Sequence, residues 1–119
     1  MINNFGIVDT YKLYIGMNDK EKLKQLLPTE EFVEIVRRIC EEDRIAFSLD
    51  EEIGGYMMDN GTFITENSLI LAIAGLEEAK IMQLAEELRV RLNQESIMVS
   101  RERPEVFLIT ESKETEETK

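Results

Sequence analysis

Hydrophobic and polar positions alternate over residues 10–17. Tyr11, Leu13, Ile15 and Met17 share one face, and Lys12, Tyr14 and Gly16 the other. Period two in β-forming residues predicts a strand. After Pro28 the period lengthens: Phe32, Ile35, Val36, Ile39 and Cys40 form one helical stripe. Thr29 is placed to cap this helix, and Glu30 and Glu31 suit its positive end. Ile45, Phe47 and Leu49 alternate again and predict a second strand. Residues 50–56, DEEIGGY, combine acids with a glycine pair and read as a loop. Asp59-Asn60-Gly61 is a hairpin signal, because Asn and Gly tolerate the positive φ of a tight turn. A return strand starts at Phe63 and runs through the nearly unbroken apolar stretch 68–73, the pattern of a strand buried on both faces. Over 77–93, Ile81, Leu84, Ala85, Leu88 and Leu92 mark one face of a helix. Its acids, Glu77 and Glu78, come early and its bases, Arg89 and Arg91, come late. A strand over 95–99, a break at RERP (101–104) and a short apolar run at 105–109 complete the pattern.

The order is β-α-β-β-α-β. It predicts an α+β fold of the ferredoxin-like kind: two helices on one face of an antiparallel sheet, with 105–109 as an added C-terminal edge strand. The expected organisation is a flexible lead-in over 1–9, a single domain over 10–109 and a disordered acidic tail over 110–119. A sheet covered on one face leaves the other bare. Tyr14, Phe63 and Met98 are the candidates for that bare face, and a second copy or a ligand is its expected cover.

Composition narrows the chemistry. The 119 residues suit one domain. Twenty-five Asp and Glu against 14 Lys and Arg leave a net charge of −11. That argues against direct nucleic-acid binding and against an anionic membrane surface, and leaves room for a basic protein partner. Histidine is absent, which removes His triads, His bases and His metal sites. Cys40 is the only cysteine, so no disulfide forms within the chain. No apolar run reaches the roughly 18 residues of a membrane span, and the start lacks a basic-then-apolar leader. The expected location is cytoplasmic. Gly54-Gly55 is not followed by Gly-Lys-Ser/Thr, and Asp50-Glu51-Glu52 lacks the spacing of a calcium loop, so neither cofactor nor metal is expected.

Two polar triplets interrupt the apolar pattern. Glu66-Asn67-Ser68 precedes the apolar strand, and Gln94-Glu95-Ser96 marks a helix-to-strand corner. Each reads either as ordinary turn chemistry or as part of a site. With Tyr56 and Glu95, the first triplet would make a polar pocket near one sheet end. Arg101, in the only basic concentration (Arg89, Arg91, Arg101, Arg103), reads either as surface charge near a helix end or as an anion contact. The candidate ligand-binding set is therefore Tyr14, Tyr56, Glu66, Ser68, Gln94, Glu95, Ser96 and Arg101; no residue is assigned as catalytic.

The segments Y-x-L-Y-I-G-M (11–17), G-G-Y followed by N-G and I-T-E-N-S, and N-Q-E-S-I-M-V (93–99) occur in this order. In these the chain resembles an uncharacterised family of small bacterial proteins, a domain of unknown function with L-Y-F-G-L near the start and G-Q-E-S-V-L near the end. The resemblance spans about residues 10–109. It implies the ferredoxin-like fold and points to Gln94, Glu95, Ser96, Glu66 and Ser68 without assigning chemistry. Tyr56 stands where that family commonly has Trp, and its members are often exported, unlike the expectation here.

Three functions follow. The first is a non-enzymatic, homo-oligomeric binding module holding a small ligand or peptide at an inter-subunit or sheet-end pocket. The second is an acidic antagonist, of the type by which phages inhibit a host defence or nucleic-acid-binding protein. The third is an enzyme using Glu66 or Glu95 as a carboxylate acid/base together with Tyr56.

Overall fold

The computed structural model describes residues 2–111. Its elements are β1 (Ile2–Ile7), β2 (Thr10–Gly16), α1 (Thr29–Glu42), β3 (Ser48–Met57), β4 (Phe63–Ala74), α2 (Glu78–Arg91), β5 (Met98–Glu102) and β6 (Glu105–Ile109). Strands β2 to β5 form one antiparallel sheet in the order β3-β4-β2-β5. With one helix after β2 and one after β4, this is the ferredoxin-like β-α-β-β-α-β arrangement.

Alternation decides what lies on each face. Tyr11, Leu13 and Ile15 of β2 and Leu69, Leu71 and Ile73 of β4 are buried against the helices. Phe32, Val36, Ile39 and Cys40 of α1 meet them in one core, joined by Ile81, Leu84, Ala85 and Leu88 of α2. The even-numbered neighbours Tyr14, Gly16, Glu66, Ser68 and Ile70 occupy the other face, which no helix covers.

Several expectations change. The acidic, glycine-bearing stretch 50–56 is strand, not loop: residues 48–57 of β3 pair throughout with β4, and tertiary pairing overrides weak β-propensity. Ile45 and Phe47 lie before β3 and lean on the core from the connection. β4 is not buried on both faces, since its second half alternates buried and half-buried positions. Thr29 does not cap α1. Pro28 holds the cap position without a side-chain bond, and the Thr29 hydroxyl instead accepts from Gln25 Nε2 at 3.1 Å. Phe63 shares the helix-side face with Leu69 by register, so it does not join Tyr14 and Met98 on the open face.

The lead-in is not all loose, because β1 pairs antiparallel with β6 in a separate two-stranded ribbon. The final apolar run is therefore not an edge strand of the main sheet. Pro104 lacks an N–H and ends the β5 ladder, while its carbonyl accepts from Val8 N at 3.2 Å and starts the ribbon. The tail expected over 110–119 falls almost wholly outside the described residues. Among the described residues, no helix is long and apolar enough to cross a membrane.

Candidate functional site

Helix α2 stops in a way that aims its successors. Asn93 adopts a positive φ of 51°, a conformation Asn tolerates better than most residues. The Asn93 N–H donates to the Val90 carbonyl at 3.2 Å and the Gln94 N–H to the Arg89 carbonyl at 2.9 Å. This Schellman-type pair satisfies the helix end and turns the chain sharply, so the Gln94 side chain points inward and is only 6% exposed.

Facing it are the end of β2 and the middle of β4. Gly16 lies opposite Ser68 in register and beside Glu66. A Cβ on Gly16 would stand 2.5 Å from Glu66 Oε2, so the missing side chain is what lets the carboxyl lie there. The same oxygen accepts from the Asn18 N–H at 2.9 Å. Asn18 is itself buried, and its Nδ2 donates to the Thr65 carbonyl at 3.2 Å. Gln94 Nε2 donates to the Asn18 carbonyl at 3.0 Å and to the Leu92 carbonyl at 3.2 Å. Asp19 completes the link, accepting from Asn93 Nδ2 at 2.9 Å and from the Lys22 and Glu21 amides at 3.0 and 3.1 Å. These donors, the Lys22 amide and Asn93 foremost, hold its carboxyl below the usual range.

Between these walls lies an open concavity of about 320 Å³. Seven of the eight candidate residues line it: Tyr14, Tyr56, Glu66, Ser68, Gln94, Glu95 and Ser96. Met98 stands opposite Tyr14 at the rim, and the Tyr14 hydroxyl lies 3.5 Å from Ser100 Oγ. Arg101 is not there. Its register partner is the buried Tyr11, so it emerges on the helix side and pairs with Glu78 at 3.1 Å. Arg89 and Arg103 are likewise tied, to Glu86 and Asp9. Three of the four arginines in the basic concentration seen in sequence are thus held in separate ion pairs. Asp50, Glu51 and Glu52 point to alternate faces of β3, and among the described residues no group of three or more acidic or thiol side chains converges on a metal position.

Sequence reasoning missed Gly16, Asn18 and Asp19. Gly16 carried a signal only as a break in an otherwise bulky strand. The lining brings three carboxylates, Asp19, Glu66 and Glu95, against one ammonium, Lys20, with two phenols and two serine hydroxyls. Such a surface favours a ligand that is cationic and rich in donors.

No protein-family model matches the chain, and no curated sequence does. Among solved structures the chain is similar to a phage SAM lyase in complex with S-methyl-5′-thioadenosine, at 24% identity over 88% of each chain with a TM-score of 0.66. A phage SAM lyase in its apo state matches at 23% identity, over 87% of this chain and 86% of that one, with a TM-score of 0.63. CutA from Synechococcus elongatus matches at 10% identity, over 88% of this chain and 83% of that one, with a TM-score of 0.58. At these identities the likeness establishes the fold.

Proposed function

We propose that the chain is a lyase acting on a sulfonium nucleoside, S-adenosylmethionine being the first candidate. The observation that carries this reading is the convergence of Tyr14, Tyr56, Glu66, Ser68 and residues 94–96 on one acidic concavity. The fold it sits in is shared with a phage enzyme bound to S-methyl-5′-thioadenosine. These two observations support an enzymatic reading over the purely binding module and the acidic antagonist.

The chemistry suits the residues. S-adenosylmethionine carries a sulfonium, an ammonium and a ribose diol. Glu66 spends one lone pair on the Asn18 amide and keeps others for the ammonium. Glu95, exposed at the corner, is placed to accept from the ribose hydroxyls. The faces of Tyr14 and Tyr56 attract the sulfonium as they would any cation. Cleavage breaks the bond between sulfur and the four-carbon amino-acid fragment. The fragment's own α-carboxylate attacks the γ-carbon as that bond breaks; the bond's electron pair stays on sulfur and the fragment closes to its lactone without water, so S-methyl-5′-thioadenosine is the expected nucleoside product.

The test is to incubate purified protein with S-adenosylmethionine and follow S-methyl-5′-thioadenosine by chromatography and mass spectrometry. Glu66→Gln keeps shape and loses charge. It is expected to lower kcat/KM about 10- to 100-fold, the range for a hydrogen bond to a charged group. Unchanged substrate together with no binding of the thioadenosine would sink the proposal.

Self-association belongs to the same reading. Ile53 (81% exposed), Met57 and Phe63 present apolar surface on the β3–β4 arm, and Phe107 and Ile109 on the β1–β6 ribbon. Apolar side chains this exposed, on two separate projections, favour a homo-oligomer.

A further inference from the structure

We propose that Gln94 is a positioning residue, fixing the Glu66 carboxylate through the main chain of Asn18. This inference rests on the lyase reading only for its kinetic consequence; the geometry stands by itself.

Gln94 is buried, yet its side chain does not offer its amide hydrogens to the concavity. Both are spent on carbonyls, those of Asn18 at 3.0 Å and Leu92 at 3.2 Å. The second bond ties the side chain to the end of its own helix. The first reaches across 76 positions of sequence to the residue that follows β2 by two. Asn18 then holds Glu66 from two directions. Its N–H binds Oε2 at 2.9 Å, and its side chain binds the carbonyl of Thr65, the residue just before Glu66, at 3.2 Å. Met17 N donates to the Asn67 carbonyl at 3.0 Å, so the chain on both sides of Glu66 is pinned to the segment leaving β2.

The carboxyl needs such a clamp because its seat is otherwise loose. It rests over Gly16, where no side chain supports it, on a face no helix covers. A Glu side chain free to rotate would spread its charge over several positions, and a site that orients a substrate needs that charge in one place. Gln94 supplies the fixed point, since its own N–H donates to the Arg89 carbonyl at 2.9 Å and so is tied to the last turn of α2. Asparagine at this position would be one methylene too short to span from the helix end to Asn18. Glutamate would set a carboxylate against two carbonyl oxygens.

The test is a double-mutant cycle with Gln94→Met, which preserves length and removes the donors, and Glu66→Gln. Binding of S-methyl-5′-thioadenosine by calorimetry and cleavage of S-adenosylmethionine are the functional readouts. Amide hydrogen exchange at Asn18, measured by NMR, is the readout independent of function. Each single variant is expected to lose about tenfold or more in kcat/KM. The double variant should be no worse than the poorer single, because both changes act on one carboxylate. Gln94→Met should also speed exchange at the Asn18 amide at least severalfold while melting remains cooperative. Losses that multiply in the double variant, or wild-type protection of Asn18 in Gln94→Met, would overturn the proposal. Gly16→Ala gives a second route that leaves Gln94 intact, and serves if Gln94→Met does not fold. Its methyl displaces the carboxyl, so Asn18 exchange should rise there too, and unchanged protection counts against the clamp. If the wild-type protein neither binds the thioadenosine nor cleaves S-adenosylmethionine, the lyase reading fails while the exchange experiment still decides the clamp.

Discussion

Cys40 illustrates how little a residue's identity says without its surroundings. It is fully buried on α1, and burial, reinforced by Asp43 and Glu87, pushes its thiol up to about 11. The folded protein thus holds the thiol proton where the unfolded chain has released it. The associated stability is complete below the ordinary thiol range and is lost as pH rises from that range through about 11. Iodoacetamide at pH 8 is expected to leave the native protein unmodified and to label it in urea; rapid native labelling, read by mass spectrometry, would contradict this. At the same scale, the two polar triplets were legible because they interrupt apolar runs. The seats they require were not: nothing in the sequence says that Glu66 needs the empty space over Gly16, or that a carbonyl at Asn18 awaits Gln94.

Among the elements, α1, α2 and β2 follow directly from their periodicities, and each buries the face its pattern marked; β4 was legible as an apolar run, but only one of its faces is buried. β3 did not, because Gly54, Gly55 and three acids look like a loop. Its structure comes from β4, which it pairs with over its whole length through the turn at Asn60-Gly61. Gly55 also has a packing reason, since a Cβ there would stand 2.7 Å from the Phe63 ring that lies across it. β4 is therefore one of the two central strands of the sheet, pairing with both β2 and β3, as β2 pairs with β4 and β5. Leu71→Ala, at a fully buried position in that strand, is expected to destabilise the protein by about 2–5 kcal/mol in urea unfolding. A cost under about 1 kcal/mol would show that β4 is not central to the core.

For the molecule as a whole, the bare sheet face and the two apolar projections set the remaining question. Ile53 and Phe63 share one face of the β3–β4 arm, beyond the cover of the helices. Replacing both by Asp is expected to shift sedimentation from oligomer to monomer without loss of helical circular dichroism. A wild-type protein that stays monomeric at high concentration would remove the self-association part of the reading. The acidic balance, −11 over the chain, makes separate copies repel one another at long range, so self-association would have to rest on short-range apolar burial.

The sequence by itself determined the β-α-β-β-α-β order of the main sheet and its helices, the face each helix buries and the polar triplets that line the concavity. Periodicity and residue type are local properties, so one chain read in order suffices for them. Tertiary structure alone decided that residues 50–56 are strand, that β1 and β6 leave the main sheet for their own ribbon, and that Arg101 faces away while Asn18 and Gly16 face in. Each of these turns on which strand pairs with which and in what register. A shift of one position reverses the face a side chain occupies, and partners as far apart as Asn18 and Gln94 meet only after the sheet and α2 are in place.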